Sequence, residues 1–301
     1  MKRQHLLLAL LVVVVWGINF VVIRWGLDEL PPMLLAALRF VFVAFPAILF
    51  IRPPKLPLKW LLGYGLTISF GQFALLFMSM YLGMPAGLAS LVLQAQALFT
   101  LLFAVLLLGE SWSAKQVLSL TVAATGLTLL ASETGSTGVP LIAFLLTIAA
   151  ASAWGLGNII NRKISQFKDV DLLAVVVWAG LIPIIPFLIL SYTFEGQELI
   201  MTSLSSISWK SVVSIAYLAL FATLFGYGSW AFLLKRYPAS EVAPLTLMVP
   251  VTGLISAWLL LGETLSMVQI AGILVVLAGL ALNTLKVPAL IKTRTSTVKQ
   301  N

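Results

Sequence analysis

The sequence predicts an all-α integral membrane protein of ten transmembrane helices, arranged as two inverted five-helix repeats with both termini on the cytoplasmic side. Three observations lead there. First, 61% of the 301 residues are hydrophobic and only 9% are charged, with a mean hydropathy of +1.09. A soluble domain carries about 25% charged residues, so this chain has too little polar side chain to cover a water-facing surface. Second, apolar runs of ~20 residues, the length that crosses a bilayer, recur along nearly the whole chain. Third, the sequence repeats itself. The stretch 85–110, PAGLASLVLQAQALFTLLFAVLLLGE, is matched by 238–263, PASEVAPLTLMVPVTGLISAWLLLGE, at an offset of 153 residues.

The apolar runs of the first unit fall at 5–26, 31–51, 60–82, 86–108 and 115–132, and those of the second at 141–161, 171–191, 209–233, 240–262 and 267–285. Lys2 and Arg3 ahead of the first run give it the look of a signal peptide. Trp16, Gly17 and Asn19 continue it without a small-residue cleavage pattern, so it reads as a retained helix. Orientation follows from the basic residues. With the N-terminus inside, fifteen of the eighteen Lys and Arg residues fall on the cytoplasmic side, against Lys210 and the marginal Arg24 outside, with Arg39 left within a helix. The net charge of +8 is thus accounted for by topology and implies no nucleic-acid partner.

The repeat reaches beyond the opening pair. Tyr64 and Tyr217, Ser113 and Ser266, Gln116 and Gln269, and Gly126 and Gly279 share the 153-residue offset. Ser113 to Gln116 and Ser266 to Gln269 both read S-x-x-Q, the pattern of a helix-starting capping box. Nearer the front of each unit the offset becomes 138, pairing Trp16-Gly17 with Trp154-Gly155 and Arg24 with Arg162. The longer 192–208 connection largely absorbs the difference. Residues 1–133 form the first unit, 140–286 the second, and 287–301 a short basic tail expected near anionic headgroups. Five helices is an odd number, so the second unit enters the membrane from the opposite side. Inverted repeats of this kind build many secondary transporters, with the substrate site near the midplane between the halves.

Six stretches carry a family resemblance: WGINFVVIRWGL (16–27), PPMLLAALRFVFVAFPAI (31–48), LLGYGLTISFGQFALLF (61–77), GMPAGLASLVLQAQALFT (83–100), LIPIIPF (181–187) and VAPLTLMVPVTGL (242–254). The chain resembles the drug/metabolite transporter superfamily, and within it the ten-helix branch of EamA-domain proteins. That resemblance implies a multi-pass carrier of the bacterial inner membrane that exports small amino-acid metabolites, cysteine and O-acetylserine being the substrates it points to. The sequence departs from many such relatives in one respect: Pro250 of the ninth helix faces Ala97 in the fourth, so a gate built on a symmetric proline kink lacks one of its prolines.

Polar residues inside the spans are the candidate substrate contacts. Arg39 stands eight residues into the second helix, about 12 Å from its start at 1.5 Å per residue. A charge so deep costs roughly 2.5–3.5 kcal/mol on insertion scales and should face the interior or a wet cavity. Its guanidinium would hold a substrate carboxylate bidentately, or serve structurally by tying helix-end carbonyls together. Gln94 and Gln96 lie about 200° apart on an α-helix, which predicts that only one faces the cavity. Ser90 and Gln94 share a face and are preferred as the lining pair. Gln72, Asn19 and Asn158 read equally as cavity residues or as hydrogen-bonded glue between helices. Trp16, Trp154 and Tyr227, flanked by glycines that permit close approach, are the aromatics expected on the pathway, and Pro250 is the candidate kink. Glu110 and Glu263 read either as paired functional carboxylates or as charges placed ahead of the capping-box serines, where the helix dipole favours them.

The residues that are missing exclude other functions. No Asp or Glu falls in the middle of a span, so a proton-relay carboxylate is not expected. The chain has no cysteine, no phosphate-binding G-x-x-x-x-G-K-[ST] loop, no metal cluster and no Ser-His-Asp set. No cofactor is expected, and an enzyme is not. The leading reading is a secondary carrier of zwitterionic amino-acid metabolites working by alternating access. A broader exporter of hydrophobic amino acids or toxic amphiphiles, and a passive channel, are the alternatives.

Overall fold

The computed structural model describes residues 1–135 and 138–284, and every regular element among them is helical. In chain order these are α1 (Arg3–Leu27), α2 (Pro32–Ile48), α3 (Leu58–Tyr81), α4 (Ala86–Leu108), α5 (Ala114–Ser132), α6 (Leu141–Ile164), α7 (Leu172–Glu195), α8 (Gln197–Ser205), α9 (Trp209–Arg236), α10 (Ala243–Leu261) and α11 (Met267–Thr284). Eight of them are long and apolar enough to cross a membrane, and α2 and α11 are apolar but shorter. The expected basic tail, 287–301, lies outside the described residues. The connection 192–208, expected only as a longer link, contains α8.

Local chemistry sets the helix ends. Ser113 accepts from the Gln116 amide while the Gln116 side chain accepts from the Ser113 amide, so this predicted capping box forms. Ser266 and Gln269 exchange the same two bonds. Pro32 opens α2, where its missing N–H has no helical partner to lose. Both Gly-Glu pairs end their helices alike. Gly109 (φ 67°) and Gly262 (φ 68°) sit in the left-handed region, and the following amides of Glu110 and Glu263 turn back to Ala104 O and Ala257 O. This is the glycine-closed C-cap, which a β-carbon would strain.

The polarity is that of a membrane protein. Phe42, Leu106, Trp258 and Leu259 are exposed, whereas the central face of α1 against α4, α9 and α10 is buried. The tightest backbone approach joins α5 to α11. A β-carbon on Gly126 would come within 2.6 Å of the Val276 amide, and one on Gly279 within 2.6 Å of the Ala123 amide. Ser119 adds a bond to Gly279 O at 2.7 Å.

Several helices depart from α geometry: α7 turns at 180–183 and ends in a π-helical stretch at Ser191–Glu195, and four others carry departures of their own. α3 carries a π-helical stretch at Gly65–Gln72 and α9 another at Tyr217–Phe225, while α4 and α10 carry 3₁₀ segments at Leu93–Ala95 and Ala243–Leu247. The π stretches of α3 and α9 stand 153 residues apart, as do positions within the two 3₁₀ segments. Such breaks in the α ladder commonly mark functional segments. The interruption of α4 forms without a proline. Pro250 follows the α10 break and removes the amide that would have bonded to Thr246 O, yet α4 breaks at the matching place with Ala97 there instead. A proline is therefore not needed for the interruption.

Candidate substrate site

The interrupted segments converge on one cavity of about 130 Å³. Trp16, Asn19 and Phe20 reach it from α1, Arg39 from α2 and Gln72 from the end of the α3 π stretch. Leu93, Gln94 and Gln96 line it from the α4 interruption, and Trp154 from α6. Ala222 and Tyr227 of α9 complete it with Thr246 and Val249 of α10. The lining comes from residues of both sequence units and lies near the middle of the α1 and α4 rods.

Arg39 is 2% exposed, and a single hydrogen bond holds its guanidinium, from Nη2 to Thr223 Oγ1 at 3.0 Å. The Phe73 ring lies under the guanidinium at 4.1 Å, an attraction worth about 0.5–2 kcal/mol. Nε and Nη1 have no partner, nor do Asn19 Oδ1 and Gln72 Oε1. Five buried side-chain atoms are unpaired among the described residues, and four of them belong to residues lining this one cavity. Each unpaired buried polar group costs about 1–3 kcal/mol, more when charged, so the cavity these residues line is the candidate place for a polar ligand. None of the four ion pairs among the described residues involves Arg39.

The aromatic wall is fixed rather than loose. Trp16 donates from Nε1 to Ala222 O at 2.9 Å and packs on Tyr227 at 5.4 Å and Trp230 at 5.3 Å between ring centres. Gly226 makes this possible, because a β-carbon there would lie 2.5 Å from Trp16 Nε1.

Trp16, Asn19, Arg39, Gln72, Gln94, Trp154 and Tyr227 thus meet in one place, and Ser90, Asn158 and Pro250 lie elsewhere. Ser90 is fully buried, with its hydroxyl donating to Gly87 O at 2.7 Å, where α4 packs on Gly253 of α10. Asn158 donates to Gln96 Oε1 at 2.5 Å and Thr100 Oγ1 at 3.0 Å, joining α6 to α4. Pro250 is buried in the same α4–α10 contact. The expectation that only one of Gln94 and Gln96 faces the cavity is corrected, since both line it. The 3₁₀ turn between them advances about 120° per residue rather than 100°, which brings the two directions closer, and the long side chains cover the rest. Thr223, which holds Arg39, was missed. Leu93 and Thr246 are partners at the 153-residue offset, one apolar and one polar; that asymmetry is legible in the sequence as a place for specificity, and both line the cavity.

The two glutamates hold different partners. Glu263 accepts from the amides of Ala86 and Gly87 at 2.7 and 2.9 Å, capping α4 rather than the helix that follows it. Glu110 pairs with Arg162 at 2.7 Å on an exposed surface. A larger cleft of about 1050 Å³ opens beside Asp169, Asp171, Lys235 and Arg236, at the far end of α9, but it contains none of the unpaired buried atoms.

A helical bundle with exposed apolar surfaces and a small central cavity carrying a few unpaired polar groups fits a membrane transporter. The EamA-like transporter family model matches residues 4–132 and 141–285, so the chain belongs to that family, within the drug/metabolite transporter superfamily. It is 52% identical over 285 residues to a Salmonella typhimurium protein named "Probable amino-acid metabolite efflux pump", covering 94% of this chain and 95% of that protein. An Escherichia coli protein of the same name is 50% identical over the same shares. More distantly, the chain is 27% identical to the E. coli "Uncharacterized inner membrane transporter YedA", over 90% of this chain and 88% of that one. A crystal structure covering 94% of this chain superposes with a TM-score of 0.64 at 20% identity, which bears on the fold alone.

Proposed function

We propose that this protein is a secondary carrier of the bacterial inner membrane that exports small amino-acid metabolites, cysteine and O-acetylserine among them, by alternating access. The observation carrying the proposal is that Arg39, Asn19 and Gln72, each with unpaired buried atoms, line one small central cavity. In this reading ten helices span the membrane as two inverted five-helix units with both termini inside. The two units rock about the cavity, and the interrupted α3, α4, α9 and α10 flex near it. Arg39 holds the substrate carboxylate, Asn19 and Gln72 receive its donors, and Trp16, Trp154 and Tyr227 enclose its apolar part. The relatives named as amino-acid metabolite efflux pumps, and one named as an inner membrane transporter, support the substrate class and the location. No carboxylate lines the cavity.

Uptake of labelled O-acetylserine and cysteine into inside-out vesicles tests the proposal. Saturable uptake with counterflow, lost in Arg39→Ala and Gln94→Ala, is expected. Linear flux without counterflow would replace the carrier by a channel. Saturable uptake of bulky amphiphiles in preference to both metabolites would replace it by a broader exporter.

A further inference from the structure

The charge of the cavity points to a substrate class beyond zwitterions. Arg39 brings one full positive charge into a space 2% exposed, and its hydrogen-bond partner, Thr223, is neutral. The lining contributes no carboxylate to balance it. A zwitterionic ligand leaves this imbalance in place, because its ammonium brings back the charge that its carboxylate cancels. In an α-amino acid bound through its carboxylate, that ammonium also sits within a few ångströms of the guanidinium, in surroundings where like charges repel far more than in water.

The unpaired acceptors that share the cavity with Arg39 are neutral, which suits a neutral donor better than an ion. Asn19 Oδ1 and Gln72 Oε1 are amide oxygens, buried to 8% and 3% exposure and without donors. Both can accept N–H bonds, but neither supplies the negative charge that a desolvated ammonium requires. An acylated amine carries one N–H, has no charge, and leaves the molecule a monoanion. Trp16, Trp154 and Phe20 supply the apolar wall against which an acyl methyl would rest.

We propose that this cavity takes amine-capped amino-acid monoanions, such as N-acyl amino acids, in preference to the corresponding zwitterions. The inference rests on the reading above that the Arg39 cavity is the substrate site. It also supplies a driving force. With a monoanion bound the site is neutral, and the empty site carries the charge of Arg39. One negative charge therefore leaves the cell per cycle, and the inside-negative membrane potential drives export without a proton-carrying carboxylate. A zwitterion moves no net charge and gains nothing from the potential.

N-acetylserine and O-acetylserine make a matched pair of probes, being isomers that differ in the charge on nitrogen. Binding would be read from the intrinsic tryptophan fluorescence of the purified protein at pH 6, where migration of the acyl group between them is slow. Transport would be read in proteoliposomes with a potential imposed by potassium and valinomycin. N-acetylserine is expected to bind at least about tenfold more tightly, equivalent to roughly 1.4 kcal/mol. Its efflux should accelerate when the donor compartment is made negative, while O-acetylserine flux should not respond. Asn19→Asp and Gln72→Glu, which add the missing carboxylate, should reverse the preference; two variants are used so that one misfolded protein does not decide the result. Equal or tighter binding of O-acetylserine, or N-acetylserine flux indifferent to potential, overturns the inference and leaves the carrier proposal standing. Binding of neither isomer removes the site reading itself.

Discussion

Arg39→Met separates a ligand-binding arginine from a structural one, because the two roles predict different signs. Methionine keeps an unbranched stem and removes the charge. On insertion scales a buried arginine costs about 2.5–3.5 kcal/mol, and the substitution recovers that amount. It gives up one charge-assisted bond, Nη2 to Thr223 Oγ1 at 3.0 Å, worth about 1.5–3 kcal/mol. The contact with Phe73 at 4.1 Å is also lost, at about 0.5–2 kcal/mol. These terms nearly cancel, so the thermal midpoint in detergent should move by only a few degrees, taking about 2–4 °C per kcal/mol for a chain of this size or smaller. Transport should behave otherwise. Removing one partner of a desolvated charge pair costs about 2–5 kcal/mol, or a loss of roughly 30- to several-thousand-fold in substrate affinity. Thermal unfolding followed by tryptophan fluorescence and saturation kinetics in proteoliposomes measure the two effects on one preparation. A large fall in the midpoint with KM unchanged would refute the reasoning and make Arg39 a structural tie.

Other substitutions have sharp expectations. Asn158→Leu should lower the thermal midpoint, since it breaks bonds to Gln96 and Thr100, while Gln94→Leu should spare the midpoint and raise KM; kinetics and melting on both variants check this. Gly126→Ala drives a β-carbon to within 2.6 Å of the Val276 backbone and should cost about 1–3 kcal/mol as overpacking, seen as a lowered midpoint. Glu263→Gln should destabilise by about 1–2 kcal/mol by removing a charge from the α4 N-terminus, while Glu110→Gln, which breaks an exposed pair, should cost under about 1 kcal/mol; equal effects on the midpoint would refute the contrast. Glu29 receives hydrogen bonds from Ser208, at 2.6 and 2.9 Å, and from Ser211, and these hold its pKa below the ordinary glutamate value. Its folded pKa is depressed, so its contribution is complete above the unfolded value, about 4.3, and is lost as pH falls through the folded one. A pH series of thermal midpoints should show that decline, and Ser211→Ala should shift its onset to higher pH.

The parts of the fold legible in the sequence are those fixed by local chemistry. Gly109 and Gly262 announced helix ends because only glycine adopts the left-handed cap without strain, and S-x-x-Q announced the next starts because a hydroxyl and an amide side chain satisfy two amides reciprocally. Arg39, Asn19 and Gln72 were legible as cavity candidates because polar groups deep in an apolar helix must go somewhere wet or paired. What sequence could not decide was which. Ser90 and Asn158 look the same as Asn19 in composition, yet one bonds within its own helix and the other across to Gln96 and Thr100. The partner comes from another helix, which local pattern does not reveal. The π and 3₁₀ interruptions were illegible for the same reason, and the pairing of Gln94 with Gln96 on one cavity went with them.

The two Gly-Glu pairs show how one duplicated sequence motif can take different partners. Glu263 reaches from the second unit to the first and holds the start of α4 by two amides. Beside it α4 and α10 touch closely enough that a β-carbon on Gly253 would lie 2.4 Å from Ser90 Oγ. Glu110, its partner at the 153-residue offset, has the same helix ahead of it and the same left-handed glycine, but its carboxylate is taken by Arg162. The Gly-Glu motif is the same in both, so the difference comes from what surrounds it. A carrier built of matched units must break the match in each of its conformers, closing one end while opening the other. On the proposed mechanism this conformer is closed at the start of α4. The unequal costs expected for Glu263→Gln and Glu110→Gln are then a property of the conformer rather than of the residues, and a ligand or potential that favours the opposite conformer should bring the two costs together.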